Sequence, residues 1–173
     1  FIDLYDTIKV KKIRNNNHRI IFYGQFSKNI PKNNTVTNLL KILDKKKLIK
    51  KQKYSIKIKK NIPNRAGLGG GSMNAAVLLD YFLKKNKIIL NSSQIEGIAN
   101  KIGSDVNLGF KKKNSVLLGN GRLFRSSKKI NLYTLIIKPN FGCSTKLIYK
   151  KIKHYSKPVL NNQNKVFKVK NLA

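Results

Sequence analysis

The amino-acid sequence predicts a mixed α+β fold, and two kinds of hydrophobic spacing lead to this prediction. Apolar and polar residues alternate over residues 54–58, which is the period of a half-buried strand. Apolar residues recur at intervals of three and four over residues 36–43, which is the period of an amphipathic helix. Neither an internal repeat nor a low-complexity linker divides the 173 residues.

The first half of the chain is predicted to contain three strands and two helices. Short strands at residues 6–13 and 19–22 are joined by a polar turn of three asparagines. Residues 33–35 are Asn, Asn and Thr, residue types that cap helices, so a helix is expected to follow them. The strand at 54–58 leads directly into a glycine-rich segment, and a second helix is predicted from about Met73 to Leu83.

The second half is predicted to add two helices, a hairpin and a strand. Ser93 and Glu96 have the spacing of a capping box, which predicts a helix from Ser93 to Gly103. Strands at 115–118 and 122–124 flank Gly-Asn-Gly, a typical hairpin turn. A strand is predicted at 132–137, and a helix capped by Ser144 or Thr145 is predicted to run to residue 152.

Both ends of the chain suggest that it is part of a longer protein. The first residue is Phe1 rather than Met, and the hydrophobic pattern weakens after about residue 153 without a closing element. We therefore expect segments to be missing at each end, and we expect the 173 residues alone to be catalytically inactive.

Composition narrows the possible partners. The formal net charge is +32, but only five of the 38 basic residues are arginine and the lysines are spread over every segment. This distribution is typical of a solvated basic surface, so we expect a small anionic substrate and no specific nucleic acid. No apolar run approaches the roughly 20 residues that span a bilayer. The single cysteine excludes an internal disulfide or a cysteine zinc cluster, and we expect a cytoplasmic protein.

The segment from residue 63 to residue 73 carries the strongest functional signal. It has four glycines within five positions and then continues into an apolar helical stretch. Glycines allow another group to approach the main chain, and the helix N-terminus supplies free N–H groups and positive dipole charge. We predict a phosphate-binding loop. Its residues are Pro63, Asn64, Arg65, Ala66, Gly67, Leu68, Gly69, Gly70, Gly71, Ser72 and Met73.

This loop is neither of the two common phosphate motifs. No Gly-Lys-Ser/Thr follows the glycines, and the third glycine position of the dinucleotide fingerprint is Ser72. The alternative interpretation is a flexible glycine loop that caps a core helix. If the loop binds phosphate, a β-branched residue at Gly70 is expected to place its Cβ where phosphate must approach.

Asp105 is the best candidate for acid–base chemistry among the six acidic residues. It lies just after a predicted helix end, between small and apolar neighbours. A carboxylate on such a turn suits a general base or a metal ligand. An aspartate bonded to its own turn fits the same residues, and the sequence alone does not decide between the two. His18 and His154 lie in polar segments, and we expect neither to bind metal or to act as a base.

The loop and the Asp105 turn together resemble the GHMP kinases, which are named for galactose, homoserine, mevalonate and phosphomevalonate. The loop is similar to the family's Pro-x-x-x-Gly-Leu-Gly-Gly-Gly-Ser signature. The Ser-x-Asn-Ala-Ala that follows, the strand entry at residues 1–8, the Gly-Ser-Asp-Val at 103–106 and the loop at 138–145 resemble members that phosphorylate a diphosphocytidyl sugar alcohol in isoprenoid biosynthesis. The resemblance extends from Phe1 to about Tyr149.

The resemblance implies a fold, a reaction and residue roles. The fold would be a ribosomal protein S5 domain 2-like ATP-binding domain at residues 1–130, followed by the start of a ferredoxin-like C-terminal domain at 131–173. ATP, with Mg²⁺, would phosphorylate the 2-hydroxyl of the substrate. The glycine loop would bind ATP, Asp105 would be catalytic, and Thr145 and Tyr149 would lie on the substrate side.

The chain departs from the narrower pattern at Met73, where a serine is usual, and at Asn107, where a proline is usual. Two other functions stay open at this point. One is a GHMP-type kinase for another alcohol. The other is a basic RNA-binding module on an S5-like fold.

Overall fold

The structure is a computed structural model, which describes residues 2–110, 113–117, 123–126, 133–137 and 145–154. Its architecture is α+β, as the hydrophobic spacing predicts. None of its described helices is both long enough and apolar enough to cross a membrane. In chain order, the elements are β1 (Thr7–Ile13), β2 (Arg19–Tyr23), α1 (Thr35–Lys45), β3 (Lys53–Lys59), α2 (Gly70–Lys85), α3 (Ser92–Ile102), a 3₁₀ helix (Ser104–Phe110), β4 (Asn114–Leu117), β5 (Leu123–Ser126) and α4 (Thr145–Lys151).

The predicted strand at 54–58 is the centre of a three-stranded sheet. Strand β3 pairs antiparallel with β1 on one side and parallel with β2 on the other. The asparagine turn joins β1 to β2, but β3 separates them, so the two do not pair. Ile56 lies opposite Val10 on β1 and Ile20 on β2, and it is fully buried. The alternation therefore gives the sheet one apolar face and one face rich in lysine.

Helices α1, α2 and α3 cover the apolar face of the sheet and form the core with it. Each contributes fully or almost fully buried side chains, for example Leu39, Phe82 and Ala99. The predicted start of α1 is confirmed. The Asn34 side chain accepts hydrogen bonds from the N–H groups of Val36 and Thr37, and the Thr37 hydroxyl accepts one from the Asn34 N–H. This reciprocal box satisfies donors that the first helical turn leaves free.

The predicted start of α3 is wrong by two residues. Asn91, not Ser93, is the N-cap, and its side chain accepts a hydrogen bond from the Gln94 N–H at 2.9 Å. Gln94 returns the interaction by accepting from the Asn91 N–H at 3.0 Å. Since Asn91 and Gln94 have the same spacing as Ser93 and Glu96, sequence spacing alone could not choose between the two boxes. Glu96 is exposed on the helix surface instead of capping it.

Helix α2 begins at Gly70, three residues before the predicted start at Met73. The first turn of the helix is therefore built from the glycines and Ser72 themselves. The predicted hairpin is confirmed in its strands, because β4 and β5 pair antiparallel with Leu117 opposite Leu123. Its turn, residues 118–122, lies outside the described residues.

The strand predicted at 132–137 does not form in residues 133–137, which have no regular secondary structure. Tyr133 is fully exposed, and Leu135 and Ile137 are more than 80% exposed. An isolated strand is unstable without a neighbour to satisfy its backbone groups. Helix α4 begins at Thr145 as predicted, whereas Ser144 lies outside the described residues.

His18 has a structural role between strand β3 and helix α1. Its Nδ1 accepts a hydrogen bond from the Tyr54 N–H at 3.1 Å, and its ring stacks parallel to the Tyr54 ring. Nε2 lies 3.2 Å from Asp44 Oδ2, close enough for electrostatic attraction but not aligned as a hydrogen bond. Burial lowers the pKa of His18 below 6.5, and this outweighs the opposing effect of Asp44.

We expect the protein to lose stability as the pH falls through the range where this histidine titrates. The unfolded chain binds the proton more readily than the folded one, so His18 stabilises the fold above about pH 6.5 and less so below it. Urea unfolding between pH 7.5 and 5 measures the loss. His18→Phe should flatten this dependence, and replacing the exposed His154 in the same way should leave it intact. An unchanged pH dependence in His18→Phe would assign the effect to other groups.

Candidate active site

The glycine-rich segment forms a loop between the end of β3 and the start of α2. Gly67 and Gly69 have φ angles of +71° and +63°, and Arg65 also has a positive φ of 55°. A Cβ added at Gly67 or Gly69 would meet no heavy atom within 4 Å. The loop therefore turns by left-handed backbone conformations, and at these two glycines its main chain borders open space.

Helix α2 presents its N-terminus at the end of this loop. Gly69 is the N-cap and provides no side-chain acceptor, and the first intrahelical bond runs from the Met73 N–H to the Gly69 carbonyl at 2.9 Å. The N–H groups of Gly70, Gly71 and Ser72 precede that bond and have no acceptor within the helix. Together with the helix dipole, they form a positive site of the kind that binds phosphate groups.

The segment between β2 and α1, together with the first residue of α1, holds the loop in place. The Asn64 side chain donates hydrogen bonds to the carbonyls of Phe26 and Lys28 at 2.7 and 3.0 Å. The Thr35 hydroxyl donates to the Gly71 carbonyl at 2.7 Å. These hydrogen bonds tether both the start of the loop and the first turn of α2. The loop and the free N–H groups of this first turn, which together we call the cradle, therefore have a defined shape before any ligand binds.

Gly70 does not face the cradle, contrary to the prediction from the sequence. A Cβ at Gly70 would lie 3.0 Å from Cγ2 of the buried Ile62, so this position points into the core. The left-handed Gly69 turns the chain so that Gly70 packs inward. A valine at Gly70 would therefore disturb the packing of the loop on the core, and it is not a clean test of phosphate binding.

A buried carboxylate beneath the loop was not identified from the sequence. The Asp6 side chain is fully inaccessible and pairs with the Lys60 ammonium, which is 5% exposed. It also accepts hydrogen bonds of 2.9 Å from the N–H groups of Asn61 and Ile62, and one of 2.8 Å from the Asn74 side chain. Asp6 thus joins the approach to β1, the start of the glycine loop and helix α2.

The hydrogen bonds to Asp6 determine its charge. Burial alone would raise the pKa of the carboxyl, but the bonds from Lys60, Ile62, Asn74 and Asn61 together lower it below 3.8. Asp6 is therefore an anion that is neutralised within the fold, and it is not a candidate base. Its role is to position the glycine loop.

The structure brings the Asp105 turn against the first turn of α2. A Cβ at Gly103 would lie 3.9 Å from the Ser72 hydroxyl oxygen. A Cβ at Gly109 would lie only 2.5 Å from the Ala76 Cβ, so the 3₁₀ helix packs directly on α2. Asp105 itself is exposed, and its Oδ1 lies 3.2 Å from the Ser104 hydroxyl.

Asn107, where the resemblance expects a proline, holds the 3₁₀ helix to its neighbours. Its buried side chain donates to Asn100 on α3 at 2.7 Å, and its carbonyl accepts from Arg125 Nη2 on β5 at 3.1 Å. The departure from the pattern therefore has a structural use, since it fixes the element that carries Asp105.

Two predicted substrate residues and the metal stay predictions. Thr145 is the first residue of α4, and Tyr149 on the same helix is 60% exposed. Within the described part of the chain, no cluster of three or more His, Cys, Asp or Glu side chains could hold a metal ion.

Comparison with known proteins shows which class of protein the chain resembles. Residues 34–111 match the family described as GHMP kinases N terminal domain. This match includes α1, β3, the glycine loop, α2, α3 and the Asp105 turn. The chain is therefore similar to the GHMP kinases over the part that carries the glycine loop and the Asp105 turn.

Within this class, the chain is similar to one kind of kinase. It is 49% identical over 173 residues to 4-diphosphocytidyl-2-C-methyl-D-erythritol kinase of Pelagibacter ubique, covering 99% of this chain and 62% of that protein. It is 39% identical over 115 residues to the kinase of the same name from a Sulfurihydrogenibium species, covering 65% of this chain and 40% of that protein. The chain thus spans between two fifths and two thirds of the length of these relatives.

A solved structure shares the fold. The crystal structure of 4-(cytidine 5'-diphospho)-2C-methyl-D-erythritol kinase superimposes with a TM-score of 0.54 at 20% identity, covering 84% of this chain and 50% of that one. At this identity the likeness concerns the fold alone.

Proposed function

We propose that this chain is the ATP-binding part of a small-molecule kinase. The reaction is phosphorylation of the 2-hydroxyl of 4-diphosphocytidyl-2-C-methyl-D-erythritol in isoprenoid biosynthesis. The names of the similar kinases support this substrate. The observation that carries the proposal is how near the Gly103 backbone comes to helix α2: a Cβ added at Gly103 would lie 3.9 Å from the Ser72 hydroxyl oxygen. This nearness supports a shared site for the candidate base and the candidate phosphate loop.

The glycine loop is proposed to hold the phosphates of ATP through main-chain N–H groups. Residues 63–73 fit this group, since Gly67 and Gly69 border open space and the N–H groups of Gly70, Gly71 and Ser72 lack helical acceptors. When bound, ATP supplies the phosphoryl group. The Ser72 hydroxyl and the Asp105 carboxylate are oxygen groups of the kind that Mg²⁺ prefers, and they are the proposed side chains near the ion.

Asp105 is proposed to act on the substrate hydroxyl. Its carboxylate accepts the hydroxyl proton or orients the hydroxyl toward phosphorus. The exposed position of Asp105 allows a substrate to reach it from solvent, and the packing of Gly109 on Ala76 fixes the element on which it lies.

The remaining parts of the proposal concern domains and substrate contacts. We assign residues 1–130 to an S5 domain 2-like ATP-binding domain and residues 131–173 to the start of a ferredoxin-like domain. Thr145 and Tyr149 are the proposed substrate-side residues of the second domain, and the exposure of Tyr149 leaves its ring free to contact a ligand.

Gly67→Ala tests the phosphate cradle directly. A left-handed alanine costs about 1–2 kcal/mol, and no neighbouring atom holds the added methyl group, so the loop is free to relax out of the binding conformation. We expect the affinity for ATP, measured by calorimetry, to fall about tenfold while the fold survives.

The matched control is Gly97→Ala. Gly97 lies within α3, and a Cβ there also meets nothing within 4 Å. Alanine should stabilise the helix by up to about 1 kcal/mol and leave ATP affinity unchanged. Wild-type ATP affinity in a folded Gly67→Ala variant would contradict the cradle.

A further inference from the structure

The three-stranded sheet has a second face, whose side chains are exposed or half-buried and are not covered by the described helices. Side chains on this face alternate with those of the core, and the strand register places them in rows across the sheet. We call this surface the open sheet face. Its members are Thr7, Lys9, Lys11 and Ile13 of β1, Lys53, Ser55, Lys57 and Lys59 of β3, and Arg19, Ile21 and Tyr23 of β2.

The open sheet face is cationic and contains no acid. Six of its eleven residues are basic, and none of the three strands carries a carboxylate. Lys9 and Lys57 lie directly opposite each other across β1 and β3. Like charges in this arrangement repel and destabilise a sheet.

Most of these cations have no acidic partner. Lys53, the first residue of β3, pairs with Asp44 of α1 at 2.7 Å. Within the described ranges, none of the other five basic residues of the open sheet face forms an ion pair. The repulsion between Lys9 and Lys57 is therefore not relieved by the fold.

One aromatic side chain lies among these charges. Tyr23 is 38% exposed and lies opposite Lys59, and the half-buried Ile21 lies opposite Lys57. Surfaces that bind single-stranded nucleic acids have two components: cations that contact phosphates, and aromatic rings on which bases stack. An open sheet face that presents aromatic residues is also a known platform for single-stranded RNA.

We propose that the open sheet face binds single-stranded RNA without sequence specificity. The lysines and Arg19 contact phosphates, and a base stacks on Tyr23. Single-stranded RNA fits better than a duplex or an anionic membrane, because neither of those offers an unstacked base to the tyrosine. This function goes beyond the proposed kinase reaction, since the glycine loop and α2 take no part in it.

The first experiment measures the binding of a short fluorescent oligouridylate to the 173-residue chain by anisotropy, between about 50 and 200 mM salt. For single strands, the slope of log affinity against log salt changes by about 0.7 for each phosphate that the protein no longer neutralises. Lys9→Gln/Lys57→Gln should therefore reduce the slope by about 1.4 and lower the affinity about tenfold.

The matched control removes the same charge from the helical side. Lys85→Gln/Lys101→Gln changes two exposed lysines on α2 and α3 and should leave the slope close to that of the wild type. An equal decrease of affinity in the two double variants would overturn the proposal, because it would show attraction by net charge alone. Thermal unfolding at low salt separates binding from folding, since removing the Lys9–Lys57 repulsion should not lower the melting temperature.

A second variant isolates the aromatic contact. Tyr23→Leu should weaken oligouridylate binding about tenfold with an unchanged salt slope, because stacking involves no counterion release. Unchanged affinity in Tyr23→Leu would overturn the proposal. So would duplex RNA, or vesicles of phosphatidylglycerol and phosphatidylcholine, binding to this face as tightly as the oligouridylate.

Discussion

Asp6→Asn is expected to lower the free energy of unfolding by about 3–5 kcal/mol, the usual effect when one partner of a buried ion pair is removed. Asparagine keeps the shape of the side chain, but it leaves the Lys60 ammonium buried without a counter-charge. Urea denaturation at neutral pH measures the decrease. The same substitution should also loosen the start of the glycine loop, because Asp6 holds the N–H groups of Asn61 and Ile62.

Three further variants separate the ion pair from other effects. Lys60→Met should cost less than Asp6→Asn, because backbone N–H groups and Asn74 still stabilise the Asp6 carboxylate. The double variant should recover part of the stability that Asp6→Asn removes, since it leaves no unpaired charge. Asp80→Asn breaks an exposed pair and should change stability by less than about 0.5 kcal/mol. A similarly small effect of Asp6→Asn would contradict the role of Asp6 as the anchor of the loop.

Asp105→Asn is expected to reduce turnover by at least about a hundredfold, as removal of a general base typically does. Asparagine keeps one acceptor but has neither the charge nor the basicity of aspartate. Since the chain spans 62% of the Pelagibacter relative, the assay uses a chimera in which residues 1–173 replace the matching part of that kinase. The unsubstituted chimera, assayed with 4-diphosphocytidyl-2-C-methyl-D-erythritol and ATP, is the reference.

ATP affinity should stay almost unchanged in the Asp105→Asn chimera, so the effect should appear in kcat and not in binding. Asp80→Asn, an exposed acid on α2, is the matched control and should retain full turnover. If the Asp105→Asn chimera turned over near the reference rate, Asp105 would be a structural turn residue and not a catalytic base.

The local spacing of apolar residues was enough to predict the helices and strands that have one face buried in the core. The alternation over 54–58 and the spacing over 36–43 report directly which residues face the core, so β3 and α1 are predicted correctly. The glycine loop is equally visible, because its composition is unusual over a few adjacent positions. The strand predicted at 132–137 does not form in residues 133–137, because a strand needs a partner that its own sequence does not identify.

Contacts between distant residues could not be predicted from the sequence. Asp6 meets Lys60 across 54 positions and Asn74 across 68, and nothing in its own neighbourhood marks it as buried. The inward direction of Gly70 depends on the left-handed conformation of Gly69, which composition permits but does not require. The approach of the Gly103 backbone to Ser72 likewise follows from how the 3₁₀ helix packs on α2.

We expect the glycine loop and the Asp105 turn to form one ATP site, and backbone NMR can locate that site residue by residue. The ¹⁵N-labelled chain is titrated with ATP and Mg²⁺ at about physiological salt, which limits general attraction to the lysines. We expect the largest amide shifts at Gly67, at Gly69–Ser72 and at Ser104 and Asp105, with little change at Lys9 and Lys57. Shifts concentrated on the open sheet face, with the glycine loop unaffected, would contradict it.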